Sequence, residues 1–147
     1  MEAVKAAAGT GVLTVTSVEK SRKTTMSPGL YDLTELQRDA NQKFGFSAKE
    51  TLNIMQRLYE NHKVLTYPRT DSRFIGTDVV PTIKERLKAC AVGPYRKIAG
   101  ALSMKPVKVN KSFVDDKKVS DHHAIIPTKE LEKTDLSTIE GYEELSK

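Results

Sequence analysis

The stretch Phe44-Gly45-Phe46-Ser47 stops one helix and starts another within a few residues, and no other part of the chain constrains the fold so tightly. Upstream, Leu33, Leu36, Ala40 and Phe44 recur at steps of three and four, which sets them on one helix face and turns Arg38 and Lys43 outward. Gly45 closes that helix. Downstream, Ser47-Ala-Lys-Glu50 has the capping-box spacing, in which the serine oxygen accepts the N3 amide and the glutamate reaches back to the cap. A second helix therefore starts at Ala48, with Leu52, Met55, Leu58 and Tyr59 on its apolar face, and fades at Glu60-Asn61-His62.

The β-prone run Val64-Leu65-Thr66-Tyr67 follows. Helix, tight turn, helix and strand in that order resembles a winged-helix (CAP-like) unit, so the expected class is α+β, mainly helical, with short strands. Thr14 to Val18 reads as a strand, followed by the basic residues Lys20, Arg22 and Lys23 and the turn Ser27-Pro28-Gly29. Asp78 is expected to cap a third helix that tolerates Pro81 near its start and turns Ile83, Leu87 and Ala91 inward. Gly93-Pro94 breaks it before a short helix from Arg96 to Leu102. Lys105 to Lys118, with Val107, Val109 and Phe113 at even spacings, is expected as an exposed strand or hairpin. Beyond Pro127 the chain turns acidic, with Glu130, Glu132, Asp135, Glu140, Glu143 and Glu144, and its abrupt stop suggests a piece of a longer protein.

At 147 residues the chain has the size of one domain and can bury a core without disulfides or metals. Its 38% hydrophobic content is too high for a fully disordered chain. The single cysteine, Cys90, cannot form an internal bridge, and no apolar run approaches the roughly 20 residues that span a bilayer. With no signal-peptide pattern at the amino terminus, a cytoplasmic protein with no membrane partner is expected. The net charge of +5 favours polyanionic partners.

Tyr67-Pro68-Arg69-Thr70-Asp71-Ser72-Arg73 packs a phenol, two guanidiniums, an acid and hydroxyls just past the predicted strand, a density typical of a functional loop. A tyrosine can attack phosphorus, but free phenols titrate near roughly 10, so a cation must assist. Arg69 lies two residues on and shares a strand face with Tyr67, where it can hold a phosphate. The same spacing also suits a half-buried strand aromatic beside a surface cation paired with Asp71. A second constellation, Val119-Ser120-Asp121-His122-His123-Ala124-Ile125-Ile126-Pro127-Thr128, places histidines that can donate to a phosphate, and it suits equally a loop in which one histidine caps or packs and the other is solvated. A metal reading of Asp-His-His lacks further ligands, since His62 is the only other histidine, and no metal is expected in this segment.

Taken together, Leu30-Tyr31-Asp32-Leu33-Thr34-Glu35-Leu36-Gln37, Thr66-Tyr67-Pro68-Arg69-Thr70-Asp71-Ser72 and Asp121-His122-His123-Ala124-Ile125-Ile126-Pro127-Thr128 resemble the type IA DNA topoisomerases, over about Val15 to Thr128. The proline after the tyrosine and the paired histidines look more like the topoisomerase III branch. The resemblance implies that Tyr67 links covalently to the 5′ phosphate of a broken single strand, that Arg69 stabilises the phosphoryl transition state, and that His122 contacts the scissile phosphate. It further implies that Asp71 orients His122 or Arg69, and that Gln37, Thr70, Ser72, Arg73 and His123 contact DNA. No nucleotide cofactor is needed, and the output is relaxation or unlinking of DNA.

Nothing here resembles the family's TOPRIM domain, whose acidic cluster binds Mg²⁺, so the expected partners are single-stranded DNA and the remaining domains of a parent protein. Residues 26–128 are expected to form the tyrosine domain, with 1–25 and 129–147 as pieces of a neighbouring arch, and the isolated chain is not expected to relax DNA. The rival readings are a non-catalytic winged-helix DNA-binding module, an Asp-His-His phosphoesterase and a purely structural interaction domain.

Overall fold

A computed structural model describes residues 15–135, and its regular structure is mainly helical. Helix α1 spans Leu33–Phe44 and α2 spans Ala48–Glu60. Asp32 caps α1 by accepting from the Glu35 amide at 2.7 Å, and Gly45, at φ 75°, ends it with its amide on the Asn41 carbonyl. Glycine adopts this left-handed conformation without the Cβ clash that penalises other residues. The Ser47 capping box forms as expected: the Glu50 amide donates to Ser47 Oγ at 3.2 Å and the Ser47 amide to Glu50 Oε2 at 2.8 Å. Hydrogen bonding from the Ser47 hydroxyl, and then from its amide, holds the Glu50 carboxyl below its ordinary pKa.

The two helices pack on each other, and Gln37 Nε2 reinforces the junction by donating to the Ala48 carbonyl at 3.0 Å. Their apolar faces are covered unequally. In α2, Thr51 and Met55 are buried, whereas no residue of α1 is, and Phe44, expected on its inner face, is 46% exposed.

Helix α3, Ile83–Ala89, is entered through a 3-10 turn over Val80–Thr82 that contains Pro81. The expected Asp78 cap does not form: no side chain caps either element, because the 3-10 turn continues directly into the helix. Ala91, expected on the inner face, lies past the end of α3, and Ala89 is the fully buried residue instead. A 3-10 turn at Gly93–Tyr95 leads to α4, Arg96–Ser103, which packs on α3. Arg86 anchors α3 from within, donating from Nη1 to the Pro127 carbonyl at 2.7 Å and from Nε to Thr82 Oγ1 at 2.9 Å.

No sheet forms among the described residues; β pairing is confined to isolated bridges, antiparallel at Tyr31–Ile125 and Leu65–Pro127 and parallel at Ile75–Val114. The short strands expected at Val64–Tyr67 and over Lys105–Lys118 are thus reduced to single bridges. A strand needs a partner along its length. Asn110 instead curls the second segment, accepting at its side chain from the Ser112 amide and at its carbonyl from the Val114 amide. Of the strand expected at Thr14 to Val18, residue 14 lies outside the described residues, while Val15 and Val18 stand in irregular chain, 75% and 74% exposed. The core of Ile75, Val79, Val114 and Ala124, flanked by Leu30, Ile83, Phe113 and Ile126, gathers where the bridged segments meet.

At the end of α2 the chain reverses through Lys63, the one non-glycine residue with positive φ (57°) among the described residues, with the Val64 amide returning to the Leu58 carbonyl at 3.0 Å. Its ammonium sits over the Tyr59 ring at 5.7 Å. Replacing Lys63 by Asn or Val removes that contact equally, but Asn tolerates the left-handed region and a β-branched residue does not. Lys63→Asn is expected to be more stable than Lys63→Val by about 1 kcal/mol in urea denaturation.

Candidate active site

From Tyr67 onward the chain runs as an extended strap whose residues alternate in exposure. Pro68, Thr70 and Ser72 are buried; Arg69 and Asp71 are exposed, and Tyr67 and Arg73 are half-buried. This is the period of a strand without a sheet to impose it. The imposing force is hydrogen bonding by the buried hydroxyls. Thr70 Oγ1 donates to the His122 carbonyl at 3.1 Å and accepts from the Ser72 amide at 3.1 Å. Ser72 Oγ donates to the Lys118 carbonyl at 2.8 Å and accepts from the Phe74 amide at 3.2 Å. The Thr70 carbonyl accepts from the amide of Leu33, at the first residue of α1. Pro68, Thr70 and Ser72 are scaffold, whereas Tyr67, Arg69 and Asp71 present their side chains toward the surface.

The histidine motif is clipped to the strap just before Tyr67. The Thr66 amide donates to the Ile126 carbonyl at 3.0 Å, while Thr66 Oγ1 accepts from the Ile126 amide at 3.0 Å and donates to the Ala124 carbonyl at 3.3 Å. Thr128 closes the far end, its amide on the Val64 carbonyl at 2.8 Å. Ala124, with no exposed surface, leaves no room for a larger side chain at this crossing.

That clip brings the Tyr67 and His122 rings into contact, centroids 4.4 Å apart and planes tilted by 42°. Behind the phenol, Tyr59 of α2 meets the Tyr67 ring edge-on at 5.5 Å. Arg69 reaches back to the same helix, where its Nη2 donates to Gln56 Oε1 at 3.3 Å. The alternative of an Arg69–Asp71 pair does not occur. Asp71 Oδ1 accepts from Ser120 Oγ at 3.1 Å, so the acid braces the loop leading to His122 and touches neither the imidazole nor Arg69.

The other predicted contact residues are spread more widely. His123 is half-buried and turns its Nδ1 to the Ala124 carbonyl at 2.7 Å, which makes Nδ1 a donor and leaves Nε2 as the other ring nitrogen. Arg73 is drawn inward, its Nε donating to the Leu30 carbonyl at 3.0 Å; a Cβ at Gly29 would approach its Nη2 to 3.1 Å, so glycine there makes room for the guanidinium. Gln37 serves the α1–α2 junction. Gln56 was not singled out by the sequence, Tyr59 was read there only as part of an apolar helix face, and Ser120 only as a member of the histidine constellation. Each acts through a partner outside its own element, and the only local signal is that Gln56 and Tyr59 lie three apart on one helical face.

Residues 1–145 match the family model described as DNA topoisomerase. The chain is 72% identical over 115 residues to the DNA topoisomerase 3 of Bacillus thuringiensis strain Al Hakam, which covers 78% of this chain and 16% of that protein. It is 60% and 56% identical over 116 residues to the DNA topoisomerase 3 of Bacillus licheniformis and of Bacillus subtilis strain 168, covering 79% of this chain and 16% of each relative. The chain thus spans 16% of the length of the relatives it matches.

Thr70→Val keeps the shape of the buried side chain but leaves the His122 carbonyl and the Ser72 amide without their partner. It is expected to lower stability by about 1–3 kcal/mol in urea denaturation, and to weaken the nuclear Overhauser contact between the Tyr67 and His122 rings.

Proposed function

The chain belongs to the DNA topoisomerase family, and from that membership we propose that it carries the DNA-cleaving tyrosine domain of a type IA enzyme of the topoisomerase III branch. The observation that supports this best is the contact of Tyr67 with His122, which joins the tyrosine motif and the histidine motif in one surface feature.

In this reading Tyr67 Oη attacks the phosphorus of a single-stranded DNA phosphodiester. The phenol gives up its proton as the bond from Oη to phosphorus forms, the bond from phosphorus to the O3′ of the preceding nucleotide breaks, and the departing O3′ takes up a proton, so none is gained or lost overall. The 5′ phosphate stays on Tyr67. Resealing is the reverse, with the 3′ hydroxyl attacking the phosphotyrosine, so the bond energy is kept and no nucleotide is consumed. Arg69 and His122, both exposed, are the groups that donate to the phosphoryl oxygens as charge builds in the transition state. Asp71 steadies the His122 loop through Ser120. Thr70 and Ser72, whose hydroxyls are committed inward, support the strap, while Arg73, His123 and Gln37 are the weaker candidates for DNA contact.

Residues 26–128 then form the tyrosine domain, with α1, α2 and the bridged segment after them as a winged-helix-like (CAP-like) unit, and the flanking residues belong to an arch. Among the described residues no group of three or more His, Cys, Asp or Glu lies close enough to hold a metal ion. The Mg²⁺ of the family is placed, in this reading, in the TOPRIM domain of the remaining protein. Among the described residues no helix is long and apolar enough to cross a membrane, and a cytoplasmic, nucleoid-bound setting suits a DNA substrate.

The test uses a full-length protein in which this segment replaces its counterpart in the Bacillus thuringiensis relative. With a single-stranded oligonucleotide and Mg²⁺, stopped by denaturant, a covalent adduct is expected at Tyr67 by peptide mass and is absent in Tyr67→Phe. Arg69→Ala and His122→Ala are each expected to slow adduct formation by about 10²-fold, the size of losing one transition-state donor. Tight oligonucleotide binding with no adduct would make the segment a non-catalytic DNA-binding module instead.

A further inference from the structure

We infer that Gln56 is a positioning residue for Arg69, through which helix α2 sets the guanidinium over the cleavage site; the inference rests on the role proposed above for Arg69. The amide of Gln56 is oriented from its own helix, since its Nε2 donates to Glu60 Oε1 at 3.3 Å, one turn on. With that end committed, Oε1 faces the strap and accepts from Arg69 Nη2 at 3.3 Å. Three residues along the same face, Tyr59 abuts the Tyr67 ring. One face of α2 therefore touches both of the outward side chains that flank the buried Pro68, and it fixes them relative to each other.

The chemistry of the partner matters as much as its place. Arg69 is exposed, and a long exposed side chain samples many rotamers unless one edge is held. A carboxylate would hold it but would also neutralise the charge the phosphate needs. The nearest acid in sequence, Asp71, is instead bonded to Ser120, and among the described residues Arg69 forms no ion pair. A neutral amide oxygen restrains one nitrogen of the guanidinium and leaves the full charge and the remaining donors for a phosphate.

In the same full-length protein, Gln56→Met keeps side-chain length and helix propensity but removes the acceptor, and Gln56→Ala serves as a second variant. The melting temperature of each is checked, so that unfolding is not read as loss of positioning. Two quantities are measured: the single-turnover rate of adduct formation at saturating oligonucleotide, and oligonucleotide affinity by fluorescence anisotropy. The rate is expected to fall about tenfold, as for a misplaced reactive group, with affinity unchanged within about twofold. In the Arg69→Ala background the same substitutions are expected to slow cleavage no further. An unchanged rate, or a loss that adds in full to that of Arg69→Ala, would overturn the positioning role while leaving Arg69 itself in place. Wild-type cleavage by Arg69→Ala would sink the reading of Arg69, and the role of Gln56 with it.

Discussion

Thr66 is the residue on which the remaining arrangement hangs. Its backbone and hydroxyl together make three hydrogen bonds to the Ala124–Ile126 segment, and they do so immediately before Tyr67 and shortly after His122. In a sheet such a crossing would be secured by a ladder of backbone bonds, each adding to its neighbours. Here the ladder is a single bridge at Leu65–Pro127, so side-chain oxygens supply the bonds that the missing strands do not. Thr70, Ser72 and Thr128 repeat the device, each giving its hydroxyl to a carbonyl of a distant segment. The consequence is a set of loops held by many short-range, geometry-sensitive contacts, and no buried side-chain polar atom among the described residues is left without a partner.

This construction explains which parts of the molecule were legible in the sequence. The bounds of α1 and α2 follow from signals that act within a turn of where they occur: apolar steps, Gly45 and the Ser47–Glu50 box. The break at Gly93-Pro94 and the helix after it are local for the same reason. The expected strands failed because extended chain is indifferent to pairing until a partner runs beside it, and the even spacing of Val107, Val109 and Phe113 cannot supply one. Asp78 failed as a cap because a 3-10 turn through Pro81 had already begun the helix.

The site shows the same division. The two motifs that carry it are contiguous runs, legible before any fold is known, although their residue types alone suit a half-buried aromatic and a solvated loop as well as a phosphate site. The pairings that organise them do not announce themselves. Asp71 with Ser120, and Arg69 with Gln56, join elements whose separation along the chain carries no regular spacing, so only the folded molecule reveals that the acid serves the histidine loop and the amide serves the arginine.

The alternation along the strap has an evolutionary reading. Because the buried Pro68, Thr70 and Ser72 fix the path of the chain and the outward Tyr67, Arg69 and Asp71 meet the surroundings, drift on the outer side is filtered by what the surface must do and drift on the inner side by whether the segment holds together. The two kinds of selection act on adjacent residues yet remain separable. A lineage can retune the surface one substitution at a time without reopening the problem of folding, whereas the insertion or loss of a single residue would interchange the two sides and forfeit both at once.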